Sequence, residues 1–123
     1  MKIIMNNLQI EIYFDKNHLI IKKRDSKITL KFKYDIDNIQ KFNDCFVIML
    51  GLQKHVIFNE NIYGVSYDGK ILWQIEKNNH LDEDSPYTGL GVESNLLTAY
   101  NWDGYDYLIN PQTGKIIDKK FVK

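Results

Sequence analysis

Residues 95–117 read NLLTAYNWDGYDYLINPQTGKII, and their turn chemistry decides the fold class. Asp103-Gly104 sits between segments rich in Leu, Tyr and Ile, and a tight hairpin turn needs the positive φ that glycine adopts without steric cost. If the loop holds two residues, Trp102 faces Tyr105, Asn101 faces Asp106, Tyr100 faces Tyr107 and Ala99 faces Leu108. Side chains alternate between faces of a strand. Leu96, Thr98, Tyr100, Trp102, Tyr105, Tyr107 and Ile109 then share one side, with Leu97, Ala99, Asn101, Asp106 and Leu108 on the other. Burying each aromatic is worth on the order of 1.5–3 kcal/mol, which draws most of the aromatic face into a core and leaves Trp102, Asp103 and Asp106 as its rim. Asn110-Pro-Gln-Thr-Gly114 closes the stretch as a second turn, with glycine at the left-handed position.

A second Asp-Gly hairpin lies upstream, in residues 62–75, IYGVSYDGKILWQI. The same register argument puts Gly64 opposite Trp73, Ser66 opposite Ile71 and Ile62 opposite Ile75, so that the indole covers a position without a side chain. Towards the N-terminus, Leu8, Ile10, Ile12 and Phe14 alternate with polar neighbours. His18–Arg24 and Lys27–Tyr34 follow as further strands, the latter with Ile28, Leu30, Phe32 and Tyr34 opposite Lys27, Thr29, Lys31 and Lys33. Residues 35–44, DIDNIQKFND, carry Ile36 and Ile39 at helical spacing, but their Asp and Asn content favours strand or extended chain. Phe46–Leu50 reads as a strand buried on both faces. Residues 77–94 form the longest turn-rich stretch, and loops of that length are often contact sites.

These elements predict an all-β chain, an antiparallel meander forming a β-sandwich or a curved sheet resembling part of a propeller. The two Asp-Gly turns lie 35 residues apart, and Gly-Lys-Ile recurs at residues 69–71 and 114–116. A closed propeller needs at least four blades of about 40–45 residues, more than 123 residues supply. The expectation is one domain spanning residues 1–123.

Lys+Arg and Asp+Glu number 16 each, so overall charge favours neither nucleic acid nor a membrane as partner. The charge is nevertheless uneven: residues 1–60 hold ten basic and seven acidic side chains, residues 61–123 six and nine. The single cysteine, Cys45, lies in an apolar run that favours an inert buried thiol. No stretch approaches the roughly 18–20 apolar residues of a membrane span, and the start lacks the apolar region of a signal peptide. The expected location is therefore cytoplasmic.

Catalysis would require a nucleophile near a base, paired carboxylates or a phosphate-cradling glycine loop, and none is legible. His18, His55 and His80 lack metal-ligand spacing, so neither metal nor cofactor is expected. Lys22, Lys23, Arg24, Lys27, Lys31 and Lys33 could form a basic stripe for nucleic acid, although alternation makes most of them the polar face of strands. Asp82-Glu83-Asp84 lacks the spacing of a calcium loop and suits a solvated tip or a basic partner.

Residues 61–75, Ser85-Pro-Tyr-Thr88, Leu97–Tyr105 and Asn110–Lys115 together resemble a group of small bacterial all-β proteins, the immunity proteins of contact-dependent growth inhibition and related polymorphic toxin systems. The resemblance covers residues 61–117 and rests mainly on turns and an inward tryptophan. It implies a non-enzyme that binds and neutralises a cognate toxin domain, often a nuclease. On that reading Asp82, Glu83, Asp84 and Tyr87 in the long loop, with Trp102, Asp103 and Asp106 around the hairpin tip, make the partner contact. The alternative is a small β-module that binds nucleic acid through its basic N-terminal strands.

Overall fold

The computed structural model describes residues 2–5, as backbone only, and residues 10–78 and 84–122. Twelve strands run through them, and every pairing between them is antiparallel. The first sheet contains β1 (Lys2–Met5), β2 (Ile10–Asp15), β3 (His18–Lys22) and β4 (Lys27–Lys31), in that order. The middle sheet contains β5 (Ile36–Lys41), β6 (Cys45–Leu50), β7 (Ile62–Ser66) and β8 (Ile71–Gln74). The third contains β9 (Tyr87–Glu93), β10 (Leu96–Asn101), β11 (Tyr105–Ile109) and β12 (Ile116–Phe121). Each sheet is a four-stranded meander, the construction of a propeller blade. The expected all-β antiparallel meander is observed, as three stacked four-stranded sheets.

Periodicity explains the stacking. In β6 all six residues are buried, because the middle sheet has a neighbour on each face. Phe46, Ile48 and Leu50 pack with Ile12, Leu19 and Ile21 of the first sheet. Cys45, Val47 and Met49 turn the other way, onto Leu97, Ala99, Tyr107 and Ile109 of the third. The outermost strands have one partner only and stay wet, as Lys27, Thr29 and Lys31 of β4 and Asp118, Lys119 and Lys120 of β12 show. Residues 36–41 are strand, with Ile36 and Ile39 buried towards the first sheet.

Trp73 is the wedge of the core between the middle and third sheets. Its indole lies between Gly64 of β7 and Gly114 of the last turn, and a Cβ at either glycine would overlap the ring. The ring N–H donates to the carbonyl of Pro111 at 2.8 Å, the same oxygen that accepts from the Cys45 thiol at 3.2 Å. One tryptophan thus ties β7, β8 and the turn after β11 together. The predicted pairing of Gly64 with Trp73 holds, and the Ile75 amide donates to the Ile62 carbonyl as that register requires.

Two expectations are corrected. Both Asp-Gly loops contain three residues, not two: Gly69 and Gly104 donate to the carbonyls three residues earlier and adopt φ of 87° and 89°. This is a type I turn followed by a left-handed glycine, and it moves the register by one residue. Tyr100 faces Asp106 and Ala99 faces Tyr107, while Val65 faces Ile71. In the upstream hairpin a bulge at Leu72 restores the expected register by Trp73, and the 95–117 hairpin has none between β10 and β11. Its inward face is therefore Leu97, Ala99, Asn101, Tyr105, Tyr107 and Ile109. Tyr100 moves to the opposite side, and Trp102 sits on the turn itself.

The second correction concerns residues 77–94. Tyr87–Glu93 is strand β9, joined to β10 by a two-residue turn in which Ser94 and Asn95 have φ of 49° and 64°. Gly89 and Gly91 masked this strand, since glycine weakens strand propensity.

Candidate functional site

The segment leading into β9 is fixed by buried asparagines. Asn61 donates from its amide to the carbonyls of Leu50 and Tyr87, at 2.9 and 2.8 Å, and accepts from the Tyr87 amide at 2.9 Å. Asn101 donates to the Ser85 carbonyl at 3.0 Å and accepts from the Ser85 hydroxyl and the Asp103 amide. The Asn59 carbonyl oxygen of the side chain accepts from the Ser85 amide at 2.8 Å. Residues 85–87 therefore form a strap whose backbone polar groups are satisfied away from water, as burial demands.

That strap holds the hairpin tip. The Trp102 amide donates to the Pro86 carbonyl at 3.0 Å, and Val122 donates to Gly104 at 3.0 Å. Asp103 accepts from the Tyr105 amide through Oδ1 and from the Tyr107 hydroxyl, at 2.6 Å, through Oδ2. Both of its oxygens are engaged in shaping the turn. The side chain presented outward is Trp102, 70% exposed, and on the same end of the sheet lie Phe121 and Val122, also exposed. Tyr105 stacks edge-on with Phe121 at 5.2 Å, under the Lys119 ammonium 4.6 Å from its ring centre.

The predicted contact residues separate into three groups. Asp84, exposed, Trp102 and Asp103 meet at this tip. Tyr87 is 3% exposed and belongs to the core, edge-on to Tyr107 at 5.6 Å; its place at the start of a strand beside the Asn61 clamp turns the ring inward. Asp106 lies on the outer face of the third sheet, opposite in direction to Tyr107 by alternation along β11, and the register change brings Tyr100 beside it. Asp82 and Glu83 lie outside the described residues. Phe121 and Val122 were missed, although an apolar pair closing a run of lysines was the available signal.

Electrostatics at the tip favour neutral phenols. Burial, followed by its hydrogen bond to the Asp103 carboxylate, pushes Tyr107 up to about 12. Tyr87 is pushed up further, first by burial and then by neighbouring Tyr107. In the core between the first and middle sheets Tyr67, which donates to the carbonyls of Phe42 and Cys45, rises to about 12 through burial. Burial likewise raises the Cys45 thiol, as expected for an inert cysteine. The raised phenol values mean stability that is complete below about pH 10, the unfolded value, and is lost as pH rises through about 12. A pH titration of phenolate absorbance should show these tyrosines ionising only as the chain unfolds. Simultaneous titration of all the tyrosines near pH 10 in the folded protein would contradict their burial.

Among the described residues, no group of three or more His, Cys, Asp and Glu side chains is placed to hold a metal ion. No helix of the described residues is long and apolar enough to cross a membrane.

A family model described as "Domain of unknown function (DUF7957)" matches residues 9–121. No curated protein matches the sequence significantly. Among solved structures, the crystal structure of the computationally designed Ika8 protein is similar, with a TM-score of 0.56 and 13% identity. The match covers 91% of this chain and 36% of the designed one, so the chain spans little more than a third of that protein. At this identity the likeness supports the fold alone.

Proposed function

The chain belongs to the DUF7957 family, and we propose that it is a binding protein whose hairpin tip engages and neutralises a cognate bacterial toxin domain, as the resemblance to immunity proteins implies. The observation that carries this reading is Trp102. It is 70% exposed, yet its turn is clamped from both sides by hydrogen bonds to Pro86, Asn101 and Asp103. These bonds fix the backbone that carries the ring, and an anchor whose backbone is set before binding loses less entropy on association. Phe121 and Val122 extend the apolar contact.

Asp84 and Asp103 give the rim negative charge, which suits the basic cleft of a nuclease and raises the association rate. The described surface offers shape and charge to a macromolecule, and the role supported is blockade of a partner's site. Cytoplasmic action against a toxin delivered into the cell accords with this role.

The proposal requires a toxin reading frame encoded beside this chain, and co-expression with that toxin domain tests it: growth should be rescued and the two proteins should co-purify. Trp102→Ala should weaken the complex by about 30-fold or more, a loss of roughly 2 kcal/mol, with an unchanged melting temperature. Failure of the wild-type chain to rescue or co-purify would sink the reading, and full affinity in the variant would remove the tip from the interface.

A further inference from the structure

Both ends of the three-sheet stack expose a strand-lined face, and the two faces differ in charge. On the first sheet Leu19, Ile21 and their neighbours point inward, so alternation turns Lys22 of β3 and Lys27, Thr29 and Lys31 of β4 outward. Glu11, Tyr13 and Asp15 of β2 share that outer face, Glu11 opposite Lys22. On the third sheet the outer face carries Asp106 of β11, Asp118 of β12 and Glu93 of β9, with one lysine, Lys120.

We infer that two copies of this chain associate into a closed ring of six sheets, the outer face of the first sheet in each copy seated on the outer face of the third sheet in the other. The inference rests on surfaces away from the Trp102 tip and goes beyond the proposed toxin binding.

Three observations support it. The succession of sheets is directional: the middle sheet receives the first on one face and the third on the other, so the faces left over are those that a continued stack would join. Their net charges are opposite: Lys22, Lys27 and Lys31 outnumber Glu11 and Asp15 on the first face, and Glu93, Asp106 and Asp118 outnumber Lys120 on the third. With strands stacked by their place in each sheet, β3 of one copy lies against β11 of the other and β4 against β12, which sets Lys22 opposite the strand of Asp106, and Lys27 and Lys31 opposite the strand of Asp118 and Lys120. Complementary potentials of this kind fix register and suppress wrong pairings.

Shape agrees with charge. Gly89 and Gly91 leave part of the third sheet bare, and beside Thr98, Tyr100 and Asp106 the surface forms a hollow of about 190 Å³. The β2 strand of a second copy, with Tyr13 at its centre, falls opposite β10 and this hollow. The count of sheets then sets the size of the ring. Propellers close with about four to eight blades, so three sheets cannot close alone, six can, and nine exceed the usual range. Two copies related by a two-fold axis satisfy both free faces at once, with no open end to grow.

Light scattering and sedimentation at roughly 0.05 M and 0.5 M salt test this, since screening at the higher value weakens exposed charge pairs. The wild-type chain should show twice its 14.6 kDa mass at low salt and dissociate at least tenfold more readily at high salt. The Lys27→Glu/Lys31→Glu variant should be monomeric, as should Asp106→Lys/Asp118→Lys. Mixed together they should form a heterodimer, because each then presents the complement of the other at both contacts. A monomeric wild-type chain, a species larger than a dimer, dimerisation of either variant alone, or monomers that bind a single-stranded oligonucleotide through Lys27 and Lys31 would each overturn the ring. Unchanged far-ultraviolet circular dichroism and a cooperative thermal transition show that the variants fold, their melting temperatures lying below that of the wild-type dimer by mass action.

Discussion

Trp73→Ala is expected to lower the stability of the fold by about 3–5 kcal/mol, measured by urea unfolding. The indole is 8% exposed and fills the space between Gly64 and Gly114, so its removal leaves a cavity bounded by backbone on both sides. Backbone held in strand and turn cannot collapse into the gap as side chains can, which puts the cost at the upper end for large-to-small changes. The Pro111 carbonyl loses its indole donor and keeps only the weaker Cys45 thiol. Typical domains are stable by about 5–15 kcal/mol in total, so this one residue accounts for a large share.

The glycines supply a sharper version of the same test. Gly64→Ala should destabilise the wild-type chain, because its methyl group would overlap the ring. In a Trp73→Ala background the same change should be almost neutral, giving a large coupling energy in a double-mutant cycle. Equal costs in the two backgrounds would show that the ring does not lie on Gly64. Gly114 is the less useful probe, since its φ of 76° penalises any side chain whether or not the indole is present.

The same pair shows what the sequence made legible. Gly64 opposite Trp73 could be read from an Asp-Gly turn and alternation alone, but the agreement depended on the bulge at Leu72, which cancels the extra residue of the loop. At Asp103-Gly104 no such bulge intervenes, and the same reasoning placed Tyr100 and Trp102 on the wrong face. A two-residue and a three-residue Asp-Gly loop differ in where the preceding carbonyl finds its donor. Here the Asn101 side chain, buried against Ser85, helps to stabilise the longer form. That contact is between distant segments and leaves no local signal.

The contact surface was legible to a similar degree. Trp102 beside the Asp103-Gly104 turn, and the acidic run that ends at Asp84, could be found from the residues themselves. The inward turn of Tyr87 follows instead from strand β9. Strand β9 was hidden because Gly89, Gly91 and Pro86 look like loop residues. Its pairing is secured by neighbouring strands and by two asparagines that resemble surface residues until their partners are known. Buried Asn61 is the clearest case of a side chain acting as a missing piece of backbone.

Asn61→Ala should accordingly cost about 3–5 kcal/mol, close to the loss of Trp73, although it removes far less apolar volume. Three buried backbone groups lose their partner together: the carbonyls of Leu50 and Tyr87 and the amide of Tyr87. Each unsatisfied group costs roughly 1–3 kcal/mol. Asn61→Asp isolates the donor half of this network. An ionised carboxylate can still accept from the Tyr87 amide, but it confronts two carbonyl oxygens and has no proton to offer. Its pKa must therefore rise on folding above the ordinary value of about 3.9. A raised folded value contributes stability that is present below about pH 3.9 and is lost as pH rises through the folded pKa. Relative to wild type, the Asp variant should be nearest in stability in acid and weakest at neutral pH. Parallel stability curves for the two proteins across that range would mean that the Asn61 amide does not donate to Leu50 and Tyr87. Since the strap from Ser85 to Tyr87 also carries the Pro86 carbonyl that holds Trp102, the same variants should speed hydrogen exchange at the Trp102 amide, connecting a buried asparagine to the rigidity of the tip.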